Sequence, residues 1–318
     1  MRFLHDDPDW ADLLQIVADD RSIQVGMVEK DYWVTHTLWA IHEQGFEVWF
    51  KGGTSLSKGF GLIDRFSEDI DVRIDQGRVP GLVEPSNWRS RKRGPREREV
   101  WFEGLGQALD IASCTVTRDP AGSDRLVRSA MYEVAYPHLH ADVLPAAMRP
   151  FVLLEVGRAR VVPFVERPLF SWVHDHAEKT GMGDLVDNRP TAVRCVHPWV
   201  TCLEKLKAIA RRYDQGKAAA DFVRHYEDVA RILAAWDDLP ALDGGLPKLV
   251  ADLVDEDKTV MPKPDHLAFV VTTDDRWVEL ERAWSDIAPM FWGPRHTLGE
   301  AVDVICPFLA RLASPPGD

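Results

Sequence analysis

Lys51-Gly52-Gly53-Thr54-Ser55-Leu56-Ser57-Lys58, followed by Ser67-Glu68-Asp69-Ile70-Asp71, is the stretch on which the reading of this chain turns. Just before it, Phe46-Glu47-Val48-Trp49-Phe50 alternates and is rich in strand formers, and Gly52-Gly53 breaks the run. Thr54 or Ser55 caps a short helix through about Gly59, and Asp64-Arg65-Phe66-Ser67 forms the next connection. Ile70-Asp71-Val72-Arg73-Ile74 then reads as a second strand. Residues two apart on a strand share a face, so Asp69 and Asp71 point one way while Ile70 and Val72 point into a core. Two carboxylates held that close repel each other unless a cation sits between them. Magnesium, or manganese in its place, suits such a pair, because it takes few carboxylates and completes its shell with water and substrate phosphates. An isolated Asp-x-Asp is common in surface turns; one embedded in a run of Ile70, Val72 and Ile74 carries more weight.

The glycines supply the other half. After a strand, Gly52-Gly53 lets the backbone approach a ligand closely, and a helix opening at Thr54-Ser55 offers free N–H groups to an anion. The Ser55 hydroxyl is placed to hold a β- or γ-phosphate. Lys58 lies one helical turn further, within reach of the same place. Gly52, Gly53, Thr54, Ser55 and Lys58 are therefore the candidate nucleoside triphosphate contacts. Neither the P-loop pattern nor the dinucleotide Gly-x-Gly-x-x-Gly pattern is met. A Gly-Gly alone marks only a turn; here a phosphate-sized turn and a metal-sized carboxylate pair fall on adjacent strands.

Working outward, residues 9–20 and 27–44 have helical apolar periodicity, the second ending at Gly45. Residues 76–97 are polar and punctuated by glycine and proline, as in a long loop. A helix is expected over about 97–112 and strands over 113–118, 125–136 and 150–157. Glu155 follows four apolar residues in the last of these, a third carboxylate suited to binding metal or acting as base, with Arg158 or Arg160 as ordinary ion-pair partners. After Pro168 the character changes: 199–212, 218–236, 276–288 and 298–312 are helical patterns. The expectation is α/β (α+β), with a mixed-sheet core plus N-terminal helices over residues 1–167 and a mainly helical domain over 168–318 that folds back over the active site. In that second half Lys205 sits in a helix, where a lysine ordinarily faces solvent or a partner, and Asp228 is spaced to pair with Arg224.

Composition narrows the classes. The formal net charge of −13 argues against a protein that coats nucleic acid non-specifically. Residues 88–98 reverse the sign, with six basic residues and one acid, as a solvated loop or as a docking surface for phosphate or an acidic partner. Cys114, Cys195, Cys202 and Cys306 form neither a zinc pattern nor a disulfide framework. No apolar run is long enough to span a bilayer, and the acidic N-terminus leads into no signal-like segment. A cytoplasmic, monomeric protein with no membrane partner is the expectation.

Together, Gly52–Lys58 and Phe66–Asp71 resemble the AbiEii/AbiGii group of abortive-infection and type IV toxin–antitoxin nucleotidyltransferases, in the DNA polymerase β-like superfamily. Val28-Glu29-Lys30-Asp31-Tyr32-Trp33 resembles the N-terminal segment of that group; Glu204-Lys205-Leu206 and Arg224-His225-Tyr226-Glu227-Asp228 resemble its later motifs. The resemblance implies that Gly53 and Ser55 grip a triphosphate, that Asp69 and Asp71 bind metal, that Lys205 contacts the nucleotide and that Asp228 is needed for activity. It also implies transfer of a nucleotide to RNA, the 3′ end of transfer RNA, by a toxin that a separately encoded antitoxin neutralises. A protein or small-molecule acceptor, or a nucleotide-binding module without catalysis, are the competing readings.

Overall fold

Two strands with different burial make the first sheet pair. β1 (Glu47–Lys51) buries Val48, Trp49 and Phe50 in succession, whereas in β2 (Asp69–Asp75) every second residue is buried: Ile70, Val72 and Ile74 face the core, and Asp69, Asp71, Arg73 and Asp75 lie half-buried on the other face. The computed structural model describes residues 2–313, except for residues 66, 68, 89–93, 124–125, 146–147 and 183–184 and the side chain of residue 257. Two compact units emerge, one of residues 1–60 and 66–195, the other of residues 61–65 and 196–318.

The first unit opens with α1 (Trp10–Arg21) and α2 (Val25–Glu43), and α3 is a single turn at Gly52–Thr54, continued by a wider turn at Ser55–Gly59. After β2 come α4 (Gly94–Ala108), β3 (Thr115–Asp119), β4 (Ser129–Ala135), β5 (Val152–Gly157), β6 (Phe164–Arg167), α5 (Trp172–Thr180) and β7 (Val193–Val196). The strands form one sheet in the order β3-β4-β5-β2-β1-β7-β6. It is mixed: β1 pairs antiparallel with β2 and parallel with β7, while β2 pairs parallel with β5. The pairing of β7 with β1 belongs to this unit, which runs on to Cys195.

Helix α2 is buried on nearly all sides, including Glu29, Lys30 and Asp31. Each of these charges has a partner, as burial demands. Glu29 accepts from the N–H groups of Leu139 and His140 at 2.7 and 3.0 Å, and Lys30 donates to the Arg149 carbonyl at 2.9 Å. Asp31 accepts from Lys58 Nζ at 2.5 Å and from the Trp172 N–H at 2.9 Å.

The second unit is helical: α6 (Pro198–Asp214), α7 (Arg224–Ala234), α8 (Gly245–Asp257), α9 (Asp275–Asp286) and α10 (Leu298–Ala313). Helices α6, α7 and α10 share a core that includes Trp199 stacked on Phe308. The continuous helix expected over 218–236 is instead a single turn at Ala219–Asp221, Phe222 at a non-helical φ of −142°, and then α7 from Arg224. Arg212 donates to Asp221 O at 2.6 Å and Arg276 donates to Lys217 O. Residues 61–65 belong here too: Arg65 bridges to Phe291, and the Trp292 N–H donates to Asp64 O at 3.0 Å. Among the described residues no helix is long and apolar enough to cross a membrane.

Candidate active site

Strand β1 ends at Lys51, opposite Asp71 in the ladder, and the chain turns at Gly52 with φ of +76°. Only glycine fits that turn: the conformation is left-handed, and a Cβ there would run into the Asp71 carboxylate. The glycine turn and the carboxylate strand thus touch. Thr54 strengthens the junction, its hydroxyl donating to the Asp69 carbonyl at 2.6 Å. Its side chain is committed to the backbone of the carboxylate strand.

Ser55 comes next, 1% exposed, with a buried Oγ that makes no hydrogen bond of acceptable geometry. Its neighbour is the Cys195 thiol, which burial pushes up to about 12 and so keeps neutral, a weak partner at best. A buried hydroxyl without a partner costs about 1–3 kcal/mol, which a ligand oxygen would recover. Lys58 closes the turn by its ion pair with Asp31 on α2, so its ammonium is anchored beneath the turn.

Asp71 lies level with Glu155 on the parallel strand β5, and Asp69 with Leu153. Partners in register share a face, so Asp69, Asp71 and Glu155 lie on one side of the sheet. Arg158, an expected partner of Glu155, pairs instead with Asp75 and Glu84. Among the described residues no three His, Cys, Asp or Glu side chains converge as a metal cluster. A pair of half-buried carboxylates still fits magnesium, whose remaining positions go to water and phosphate.

Lys205 and Asp228, from the second unit, meet each other. Lys205 Nζ lies 2.8 Å from Asp228 Oδ2. Asp228 also accepts a two-pronged contact from Arg65, Nε to Oδ1 and Nη2 to Oδ2, both at 2.7 Å. Arg65 and Asp228 are almost wholly inaccessible to solvent. Burial alone would raise the Asp228 carboxyl, but Arg65 and Lys205 outweigh it and hold the group well below the usual carboxylate range. Burial lowers the Lys205 ammonium, against the opposing pull of Asp228. The pairing with Arg224 suggested by helical spacing is superseded by this triad. Arg65 was missed from the sequence; its only signal was an arginine placed four residues before Asp69 in an otherwise ordinary connection.

Part of the basic run at 89–98 is also accounted for. Arg98 is buried and donates to the carbonyls of Trp88 and Leu126, so it supports α4 and offers nothing to a phosphate. Residues 89–93 lie outside the described ones.

Comparison with known proteins follows the same line. No curated protein matches the chain. Among solved structures, MenT4, a nucleotidyltransferase toxin from Mycobacterium tuberculosis H37Rv, is 16% identical over 92% of this chain and 98% of its own, with a TM-score of 0.39, a likeness too low to support argument by itself. Residues 39–304 match the family described as nucleotidyl transferase AbiEii toxin of type IV toxin–antitoxin systems, and with most of its length so matched the chain belongs to the AbiEii family of nucleotidyltransferase toxins.

Proposed function

We propose that the protein transfers a nucleoside monophosphate from a nucleoside triphosphate to the 3′ end of an RNA, with transfer RNA the acceptor, in a magnesium-dependent reaction. A separately encoded antitoxin would neutralise it. The observation that carries this reading is the contact between Gly52 and the Asp71 carboxylate, which makes the phosphate turn and the carboxylate pair parts of one site. Asp69 and Asp71 are the residues to hold the metal, magnesium or manganese. When bound, that ion supplies charge neutralisation at the triphosphate and its leaving pyrophosphate.

The chain's own groups do the rest. The Gly53 backbone and the Ser55 hydroxyl bind the phosphate tail; Ser55 Oγ is buried with the Cys195 thiol beside it, and its hydroxyl donates a hydrogen bond to a phosphate oxygen. Gly52 keeps the backbone clear of Asp71. Thr54 and Lys58 fix the turn through Asp69 O and Asp31, and so set where the phosphates lie. Glu155, level with Asp71, takes the proton from the attacking hydroxyl. Lys205 contacts the nucleotide. Both Asp228 oxygens are engaged by Arg65, one of them also by Lys205, so Asp228 acts by positioning Lys205.

The test incubates purified protein with magnesium, each α-labelled nucleoside triphosphate in turn and total cellular RNA, then separates RNA, protein and small molecules. Label in transfer RNA that vanishes in Asp69→Ala and Asp71→Ala supports the reading. Label only on protein or a small molecule overturns the acceptor, and nucleotide binding without any label overturns the catalysis.

A further inference from the structure

Helix α6 ends in Arg211-Arg212-Tyr213-Asp214, and α7 begins at Arg224. The segment between them leaves a cleft of about 630 Å³, lined by Arg211, Arg212, Lys217 and Arg224 with Asp221 as its one acid. Four cations against one acid is a sharp local reversal in a chain of net charge −13. Helix dipoles do not account for it. They favour Arg211 and Arg212 at the C-terminal end of α6, yet they oppose Arg224 in the first turn of α7, and Lys217 belongs to neither helix.

Behind the cleft, Arg212 Nη1 lies 3.1 Å from His225 Nε2, and His225 Nδ1 lies 3.3 Å from Lys205 Nζ. Burial first, then Lys205 and Arg224, push this imidazole well below its ordinary range. The imidazole thus stays neutral there, and Asp228, deeper in the same unit, is taken up by Arg65 and Lys205. We propose that this cleft docks the phosphodiester backbone of the RNA acceptor, through residues that the transfer chemistry does not use.

The inference rests on the reading that the acceptor is RNA. The lining argues for backbone over base or peptide. The guanidinium forks of Arg211 and Arg224 can each take two phosphate oxygens, while Arg212 holds the Asp221 carbonyl and His225. No aromatic ring lines the cleft to stack a base, and no large apolar anchor to seat a peptide. Recognition here is thus blind to sequence and sensitive to salt.

The experiment measures binding of fluorescently labelled transfer RNA to the full chain between about 50 and 200 mM salt. It compares wild type with Arg211→Gln/Lys217→Gln/Arg224→Gln, leaving Arg212 intact because it holds the Asp221 carbonyl and His225. Each lost phosphate contact lowers the salt slope by roughly 0.7–0.9, so the triple variant should lose about two units of slope and bind at least tenfold more weakly. Should that variant fold poorly, Ala220→Glu adds a carboxylate at an exposed position of the same lining and should weaken binding in the same way. Label transfer to RNA is followed in parallel. If wild type labels RNA and every variant that folds binds with unchanged slope, the cleft inference falls while the acceptor reading stands. If wild type neither binds nor labels RNA, the acceptor reading fails and takes this inference with it. Displacement by polyglutamate with no RNA binding would assign the cleft to an acidic protein and overturn the proposal.

Discussion

Replacing Gly52 by alanine separates the backbone cost of the turn from its role at the carboxylates. At φ of +76° an alanine pays about 1–2 kcal/mol for left-handed backbone. Its methyl also meets the Asp71 carboxylate, and forcing that side chain off its rotamer adds about 0.5–1.5 kcal/mol. The sum is roughly 1.5–3.5 kcal/mol, lowering Tm by about 5–10 °C in a unit of this size. Gly181→Ala is the matched comparison. Gly181 has φ of +69°, and a Cβ there meets no described atom within 4 Å, so it carries the backbone cost alone. The gain from a stiffer unfolded chain is common to both variants and cancels. If Asp71 holds the metal as proposed, displacing its carboxylate by about 1 Å is enough to lower turnover about a hundredfold. Thermal melts on both variants should therefore show modest losses of Tm, the larger in Gly52→Ala, with label transfer lost only in Gly52→Ala. Equal transfer by the two would refute the claim that Gly52 exists to make room for Asp71.

Three further outcomes follow. Asp228→Asn removes the charge that balances Arg65 and Lys205 in a wholly buried setting, so chemical denaturation should show a loss of about 3–5 kcal/mol; a loss under about 1 kcal/mol would contradict the triad. Arg98→Ala removes a buried guanidinium that ties together the carbonyls of Trp88 and Leu126, so melting should fall while the salt slope of RNA binding stays put. The third concerns pH. His36 and His174 lie in a network in which Asn188 Oδ1 accepts from His174 Nε2 at 2.8 Å and Asn188 Nδ2 donates to His36 Nδ1 at 2.8 Å. Burial, the leading cause in both, lowers each from 6.5 to about 4. Because the folded values are depressed, this stability is complete above pH 6.5 and lost as pH falls to about 4. Each ring is worth on the order of 3 kcal/mol over that window, though shared Asn188 keeps the two from adding. Denaturation at pH 7 and pH 4.5 measures it, and His36→Gln, which cannot titrate, should flatten the dependence.

The sequence was most legible where burial enforces a period. Ile70, Val72 and Ile74 alternate with Asp69, Asp71 and Arg73 because one face of β2 packs against the core, and that alternation is visible without coordinates. The long helices α6, α9 and α10 were legible for the same reason, each burying an apolar stripe. Elements with little period of their own were not. β6 and β7 have four residues each, too few for alternation to declare itself, and α5 is recognisable only by the Ser171 cap and the turn at Gly181. Helix α2 carried its signal in the wrong place: Glu29-Lys30-Asp31 looks like a solvated turn of helix, and only the partners from distant segments allow it to be buried.

The same division runs through the candidate site. The glycine turn, Ser55 and the two aspartates lie within twenty residues of one another, so local rules could bring them together. The role of Asp228 could not be reached that way, because its charge is set by Arg65, 163 positions away. Helical spacing offered Arg224 as the partner, which would have made Asp228 an exposed surface pair worth a few tenths of a kcal/mol. The structure makes it instead the centre of a buried triad, where removing one member leaves the others unpaired. A residue that is needed because it neutralises two buried cations gives the same inactive phenotype as one that touches the substrate. The two differ in the melt: Asp228→Asn should unfold early, whereas Asp69→Asn, at a half-buried position, should lose transfer and keep its Tm. Should Asp228→Asn prove as stable as wild type and still inactive, its carboxylate would have to act on the substrate after all.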